Sequence, residues 1–155
     1  MHNGGAASNP PHHQQDPEVP LNLVLVEDHA QFREQLRTEL EMIEGVRVIH
    51  AESTAPAAMR WLAEHAHDWD MLVVDLFLAH GHGFQVLAAT KDRLPRQQAM
   101  LLTNYTRDPV REQARNFGAD AVFDKAFELA QFLEHVEGCG KAKGQEVREG
   151  VALAA

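Results

Sequence analysis

Short apolar runs alternate with longer stretches of helical periodicity through the middle of the chain. The runs are LNLVLV (21–26), VRVIHA (46–51), MLVVDL (71–76), AMLLT (99–103) and AVF (121–123). Several are continuously apolar, which is typical of strands buried on both faces of a parallel sheet. Between them, apolar residues recur every three or four positions, as in amphipathic helices. The pattern predicts five strands alternating with five helices in a doubly wound α/β domain.

The two ends of the chain lack this pattern. Residues 1–19 are rich in Gly, Pro, Asn, Gln and His, which predicts a disordered N-terminal tail. Residues 138–155 contain four glycines and no long apolar stripe, which predicts a flexible C-terminal tail. Residues 20–137 remain as one domain, and a chain of 155 residues is long enough for one domain of ordinary size.

Acidic residues outnumber Lys and Arg by 23 to 14, so the formal net charge is -9. This charge argues against generic binding to nucleic acid or to an anionic membrane and favours proteins or cations as partners. Cys139 is the single cysteine, and the first residues contain no apolar leader. Mid-chain apolar runs are far shorter than the ~20 residues of a membrane helix. We therefore expect a cytoplasmic protein without a membrane partner.

Chemically active side chains stand where the predicted strands end. They are Glu27, Asp28, Asp75, Thr103 and Lys125. The carboxyl ends of parallel strands share one edge of the sheet, where ligands bind in such folds. Three carboxylates there repel one another, so the site must take up a proton, pair with the lysine or bind a cation. A hard divalent ion such as Mg²⁺ fits this donor set best.

The same residue types suit phosphoryl transfer. An aspartate can attack phosphorus, while a lysine and a metal neutralise charge on the transferred group and a threonine hydroxyl donates to it. A single acid at a strand end is more often solvated, and Asp28 could simply cap the first helix. All five residues lie at predicted strand ends, which favours a site.

These residues, in this order, resemble the receiver domain of bacterial two-component response regulators. The resemblance covers about residues 20–137 and rests on LVEDH, VVDLFLAHGHGFQVL, LLTNY and FGADAVFDKAFE. It implies a flavodoxin-like (βα)5 fold with a parallel sheet in the order 2-1-3-4-5. The segment EDHAQFREQL also resembles the first helix of receivers in DNA-binding regulators.

The resemblance implies a role for each site residue. Asp75 would be the phosphoacceptor, and Thr103 and Lys125 would contact the phosphoryl group. The implied Mg²⁺ ligands are Glu27, Asp28, Asp75 and the backbone carbonyl of Phe77. The only reactions implied are Mg²⁺-dependent self-phosphorylation and dephosphorylation on Asp75, so the protein would not be an enzyme acting on a separate substrate.

Three positions depart from the family pattern or modify it. Receivers usually carry a proline after the lysine; because Ala126 stands there and a non-proline cis bond costs ~3 kcal/mol, we expect a trans Lys125–Ala126 peptide or a reshaped loop. The family's switching aromatic is replaced by Val122. Phe77 and Tyr105 each lie two positions past a site residue, so we expect them to flank the pocket and shield an acyl phosphate from water.

A local positive stripe is predicted around the fourth helix. Arg107, Arg111 and Arg115 recur every four positions. The stripe is either a solvated face or, with Val122, a docking surface for a protein target or a second copy of the chain, because the family uses this region for output.

The leading hypothesis is a single-domain response regulator. It would accept a phosphoryl group on Asp75 from a histidine kinase or phosphotransfer protein and signal by protein contact, without binding nucleic acid directly. Fewer than 20 residues follow Val136, too few for a helix-turn-helix module. The alternatives are a receiver-like interaction module that is never phosphorylated and a truncated DNA-binding response regulator.

Overall fold

Five parallel strands form one sheet in the order β2-β1-β3-β4-β5. The computed structural model describes residues 19–154. The strands are β1 (Leu21–Val26), β2 (Val46–Glu52), β3 (Met71–Val74), β4 (Gln98–Thr103) and β5 (Ala121–Asp124). The helices are α1 (Ala30–Glu41), α2 (Ala55–Glu64), α3 (Gly83–Ala89), α4 (Val110–Asn116) and α5 (Leu129–Ala154). The predicted fold class and strand order are confirmed.

Both faces of the sheet are buried, which explains the continuous apolar runs of the strands. On β1, Val24 and Val26 belong to one core cluster, whereas Leu23 and Leu25 belong to the other. The first cluster includes buried residues of α2, α3 and α4. The second includes residues of α1 and α5, such as Phe132. Two layers of helices therefore enclose the sheet.

The strand order reverses between β1 and β3, the neighbours at the centre of the sheet. Residues after these strands face the crevice that doubly wound folds use for ligands. The chain after β3 is also packed closely against the start of α3. Gly83 donates its N–H to the carbonyl of Leu76 at 2.7 Å, and a Cβ at Gly83 would overlap the carbonyl oxygen of Asp75. A glycine at position 83 therefore lets the segment carrying Asp75 lie against α3.

Helix α5 is longer than the sequence pattern predicts. It continues without a break from Leu129 to Ala154, whereas a flexible tail was expected from Gly138. Long-range contacts explain the difference. Gly140 is buried beside Val46, and Lys143 Nζ donates to Asp70 Oδ2 at 2.5 Å and to the carbonyl of Pro20 at 2.7 Å. These contacts outweigh the low helix propensity of the glycines.

The predicted N-terminal tail falls almost wholly on residues 1–18, which lie outside the described residues. Across residues 19–154, no helix combines the length and apolar character that crossing a membrane requires.

Candidate functional site

Three carboxylates meet at the crevice between β1 and β3. Glu27 and Asp28 directly follow β1, and Asp75 directly follows β3. One oxygen from each carboxylate lies within 4.8 Å of the other two. Glu27 is 2% exposed and Asp75 is 9% exposed, whereas Asp28 lies on the surface. The sheet thus brings together residues that are 48 positions apart in the chain.

Lys125 reaches this cluster from the end of β5. Its Nζ donates to Glu27 Oε2 and to Asp75 Oδ2, each at 2.6 Å. The same ammonium lies 4.5 Å from the centre of the Phe32 ring, which adds a cation–π contact. One lysine against three carboxylates leaves an excess of negative charge.

Burial and neighbouring charges shift the pKa values of Glu27 and Lys125. Burial raises the pKa of Glu27 and the charge of Asp75 adds to it, while the hydrogen bond from Lys125 acts in the opposite direction. Burial alone would lower the pKa of Lys125, but its hydrogen bonds to Asp75 and Glu27 outweigh that effect and raise it. Lys125 therefore keeps its positive charge at neutral pH, and a further cation would favour the charged form of Glu27.

Local backbone contacts orient the two buried acids in the same way. Glu27 Oε1 accepts the N–H of His29 at 3.1 Å, and Asp75 Oδ1 accepts the N–H of Leu76 at 2.7 Å. Each carboxylate therefore has one oxygen on the backbone and the other on Lys125. The arrangement fixes the direction of both side chains before any ligand binds.

Thr103 lies at the end of β4 and is fully buried. Its carbonyl accepts the backbone N–H of Lys125 at 3.0 Å, and its hydroxyl accepts the N–H of Tyr105 at 3.3 Å. Thr103 is thus joined directly to the backbone of the lysine that contacts the carboxylates.

Phe77 and Tyr105 form an aromatic pair from the loops after β3 and β4. Their rings meet edge to face with centroids 4.5 Å apart, and both are half exposed. Sequence reasoning selected both residues but missed their mutual contact, because loop residues carry no periodicity from which a contact could be predicted.

Asp124, the last residue of β5, binds the turn that follows and was not selected by sequence reasoning. Asp124 Oδ1 accepts the N–H of Ala126 at 2.8 Å and that of Phe127 at 3.1 Å. The Lys125–Ala126 peptide is trans, which is one of the two outcomes that the sequence predicted. The available signal was an aspartate at the start of a turn, where its side chain can bond to backbone N–H groups further along.

The predicted positive stripe is only partly present. Arg111 and Arg115 lie on α4, but Arg107 precedes the helix. Arg111 donates to the carbonyl of Val122 at 3.0 Å and to Glu128 Oε1 at 2.6 Å, so its charge is used within the domain. Val122 is only 8% exposed, because β5 turns its side chain into the core. Val122 therefore offers little surface for docking, and its part in a docking surface stays a prediction.

Comparison with known proteins agrees with this geometry. A family model described as the response regulator receiver domain matches residues 23–137. The response regulator UvrY of Escherichia coli K12 is 25% identical over 105 residues, which are 68% of this chain and 47% of UvrY. The chain thus spans about half the length of the curated relatives it matches.

Solved structures share the fold. A LuxR-family two-component response regulator from Aurantimonas sp. SI85-9A1 superposes with a TM-score of 0.70 at 22% identity, covering 79% of this chain and 86% of that one. The response regulator domain of Thermotoga maritima CheB gives a TM-score of 0.69 at 15% identity, covering 79% and 97%. With the family model matching most of its length, the chain belongs to the receiver domain family of two-component response regulators.

Proposed function

We propose that this receiver accepts a phosphoryl group on Asp75 from a histidine kinase or phosphotransfer protein and passes the signal to a downstream protein by direct contact. The carboxylate of Asp75 supports this most strongly. It lies at the sheet edge with one oxygen on a backbone N–H and the other on Lys125 Nζ, beside two further acids. The anchored carboxylate is a positioned nucleophile, and the lysine is a ready partner for a phosphoryl oxygen.

The donor set fits Mg²⁺. Hard oxygen ligands are what this ion prefers, and three carboxylates that share one lysine leave charge for it to neutralise. The residues that would bind it are Glu27, Asp28, Asp75 and the backbone carbonyl of Phe77. When bound, Mg²⁺ supplies charge neutralisation for the oxygens of the transferred group.

Beside Mg²⁺, the transfer uses the side chains of Asp75, Lys125 and Thr103. An Asp75 oxygen forms a bond to phosphorus while the phosphorus–nitrogen bond of a donor phosphohistidine breaks, and the electron pair stays on the imidazole nitrogen. Lys125 then pairs with an oxygen of the transferred group, and the Thr103 hydroxyl donates to another. In the self-dephosphorylation that we propose, water attacks phosphorus, the bond from phosphorus to the Asp75 oxygen breaks, and inorganic phosphate leaves while Asp75 returns to a carboxylate.

Phe77 and Tyr105 are proposed to slow that hydrolysis. Their edge-to-face pair joins the loop that begins with Asp75 to the loop after β4, and bulk beside Asp75 limits the approach of water. Replacing either ring by a small polar residue, as in Phe77→Asn or Tyr105→Ser, is expected to shorten the lifetime of the phosphorylated protein. Equal lifetimes for both variants and the unchanged protein would contradict this role.

The output is proposed to act through protein contacts rather than nucleic acid. The chain carries a net charge of -9, and Arg107 and Arg115 stay exposed near α4 as candidates for contact with a target or a second copy. A truncated DNA-binding regulator is the second candidate: the chain spans about half of UvrY, and a DNA-binding response regulator of the LuxR family from Staphylococcus aureus shares the fold.

Intact mass spectrometry tests the phosphoacceptor. The protein is incubated with Mg²⁺ and acetyl phosphate, alongside the Asp75→Asn variant. We expect the mass of one phosphoryl group on the unchanged protein and none on the variant. If the unchanged protein gained no mass with this donor or with a cognate histidine kinase, a receiver-like interaction module that is never phosphorylated would be the better explanation.

A further inference from the structure

Asp124, the last residue of β5, forms hydrogen bonds with all its polar groups, most of them to the turn that follows. Its carboxylate accepts the N–H groups of Ala126 and Phe127 through Oδ1 and the hydroxyl of Thr106 through Oδ2, the last at 2.7 Å. Its own N–H donates to Glu128 Oε1 at 3.0 Å, and its carbonyl accepts the N–H of Glu128 at 2.8 Å. The side chain is buried although it carries a charge.

Lys125 lies inside this turn and is fixed on both sides. Its N–H donates to the carbonyl of Thr103, and the next two N–H groups donate to Asp124 Oδ1. The direction in which the Lys125 side chain leaves the backbone is therefore set by the turn. A proline at position 126 would lack the N–H that donates to Asp124, so this arrangement depends on a residue such as Ala126.

Contacts from Thr106, from the turn backbone and from Arg111 through Glu128 keep the Asp124 carboxylate charged and in place. Hydrogen bonds from Thr106 first, and then from the backbone of the turn, lower the pKa of Asp124. Arg111 donates to Glu128 Oε1, the same oxygen that accepts the Asp124 N–H. Thr106 belongs to the loop after β4, so one carboxylate joins the two loops beside Lys125.

We propose that Asp124 is a positioning residue for Lys125: its carboxylate fixes the turn after β5 so that the ammonium reaches Asp75 and Glu27. As a contribution to phosphoryl transfer, this role rests on the proposed function of Asp75. The placement of Lys125 can be measured without any transfer, so the two proposals can fail separately.

Chemical labelling of lysines measures the placement directly. The Lys125 side chain is 11% exposed and that of Lys141 is 76% exposed, so an amine-acetylating reagent should modify Lys125 far more slowly. In Asp124→Ala, labelling of Lys125 should rise toward that of Lys141. Asp124→Asn keeps an oxygen for the two N–H groups and should restore protection. Unchanged labelling in Asp124→Ala would overturn the proposal.

Thr106→Val is the matched control for the turn. It removes the Oδ2 hydrogen bond and leaves both Oδ1 bonds, so Lys125 should stay protected. If Thr106→Val exposed Lys125 as much as Asp124→Ala does, the tether to the loop after β4, and not the turn, would place the lysine. That result would overturn the assignment.

A double-mutant cycle tests the consequence for phosphorylation. With Mg²⁺ and acetyl phosphate, Asp124→Ala should slow formation of the phosphoryl adduct by about tenfold, because a misplaced charge stabilises the transferred group poorly. In a Lys125→Met background the same change should have no further effect, since Asp124 acts through Lys125. Equal losses in both backgrounds would mean that Asp124 acts independently of Lys125. If the unchanged protein formed no adduct, the function of Asp75 would fail, and labelling would still decide the role of Asp124.

Discussion

Strand β3 is flanked by two aspartates with opposite charge environments. Asp70, just before the strand, is buried and accepts the N–H of Asn22 at 2.7 Å, Arg96 Nη1 at 2.6 Å and Lys143 Nζ at 2.5 Å. Asp75, just after it, shares one lysine with a second buried acid. The Asp70 carboxylate thus pairs with two cations, whereas the three carboxylates near Asp75 share one lysine.

The difference distinguishes an ion cluster within the fold from the proposed binding site. At Asp70 two cations surround a single carboxylate, so no negative charge is left to attract an added cation. Near Asp75 the uncompensated charge favours an added cation and a positioned nucleophile. Asp70 and Asp75 lie at opposite ends of β3, and we propose that the neighbouring charges give them different roles.

The largest expected effect comes from removing the compensated charge. Asp70→Ala removes a buried acceptor of three hydrogen bonds, two of them from Arg96 and Lys143, so we expect a loss of about 3 kcal/mol in the free energy of unfolding. Urea denaturation measures it. Asp75→Asn is the control, and it should cost much less because Lys125 keeps Glu27 and one like charge disappears. Equal losses would contradict the distinction between the two edges.

Mg²⁺ should stabilise the fold through the uncompensated edge only. At a concentration of about 100 times its dissociation constant, a ligand that binds the native state alone adds about 2.7 kcal/mol. We expect a rise in the thermal midpoint for the unchanged protein and a smaller one for Asp75→Asn. Lys143→Met lies at the other edge and should keep the full rise. A rise that Asp75→Asn did not reduce would place the ion elsewhere.

The extension of α5 should depend on Lys143. Lys143→Met removes hydrogen bonds to Asp70 and to the carbonyl of Pro20, so a loss of about 1–2 kcal/mol is expected, together with faster amide exchange after Gly138. Lys141→Met is the matched control. That lysine is exposed and pairs only with Glu137, so its loss should cost less than about 0.5 kcal/mol. Similar losses for both lysines would contradict a specific anchor.

The smallest expected effect is a pH dependence at the turn after β5. The hydrogen bond from Arg111 lowers the pKa of Glu128 below its ordinary value. A lowered pKa stabilises the native state above the ordinary value, and that stabilisation is lost as pH falls through the native pKa. The stability difference between the unchanged protein and Glu128→Gln should therefore shrink on acidification, as measured by urea denaturation across acid pH. A constant difference would contradict it.

The positions of the strands and of the residues at their ends could be predicted from the sequence because both depend on strong local signals. Continuous apolar runs mark strands buried on two faces, and the residue after each run must lie at the sheet edge. The family resemblance supplied the order of the strands. The sequence therefore predicts that Asp75 and Lys125 lie near each other.

What could not be predicted depends on contacts between distant segments. The glycines after residue 137 indicate a flexible tail unless the bond from Lys143 to Asp70 is known, and these residues are 73 positions apart. The inward orientation of Val122 and the bond from Arg111 to its carbonyl follow from how α4 packs on β5. The role of Asp124 could not be predicted because it depends on the geometry of a turn, and that turn has no apolar pattern.

Site-resolved mass spectrometry tests the central claim most directly. After incubation with Mg²⁺ and acetyl phosphate, the protein is digested and the phosphoryl group is located on the strand β3 peptide, which contains both aspartates. The account predicts modification at Asp75 and not at Asp70, with none when Mg²⁺ is removed by chelation. Modification at Asp70, or adduct formation that persists in Asp75→Asn, would contradict it.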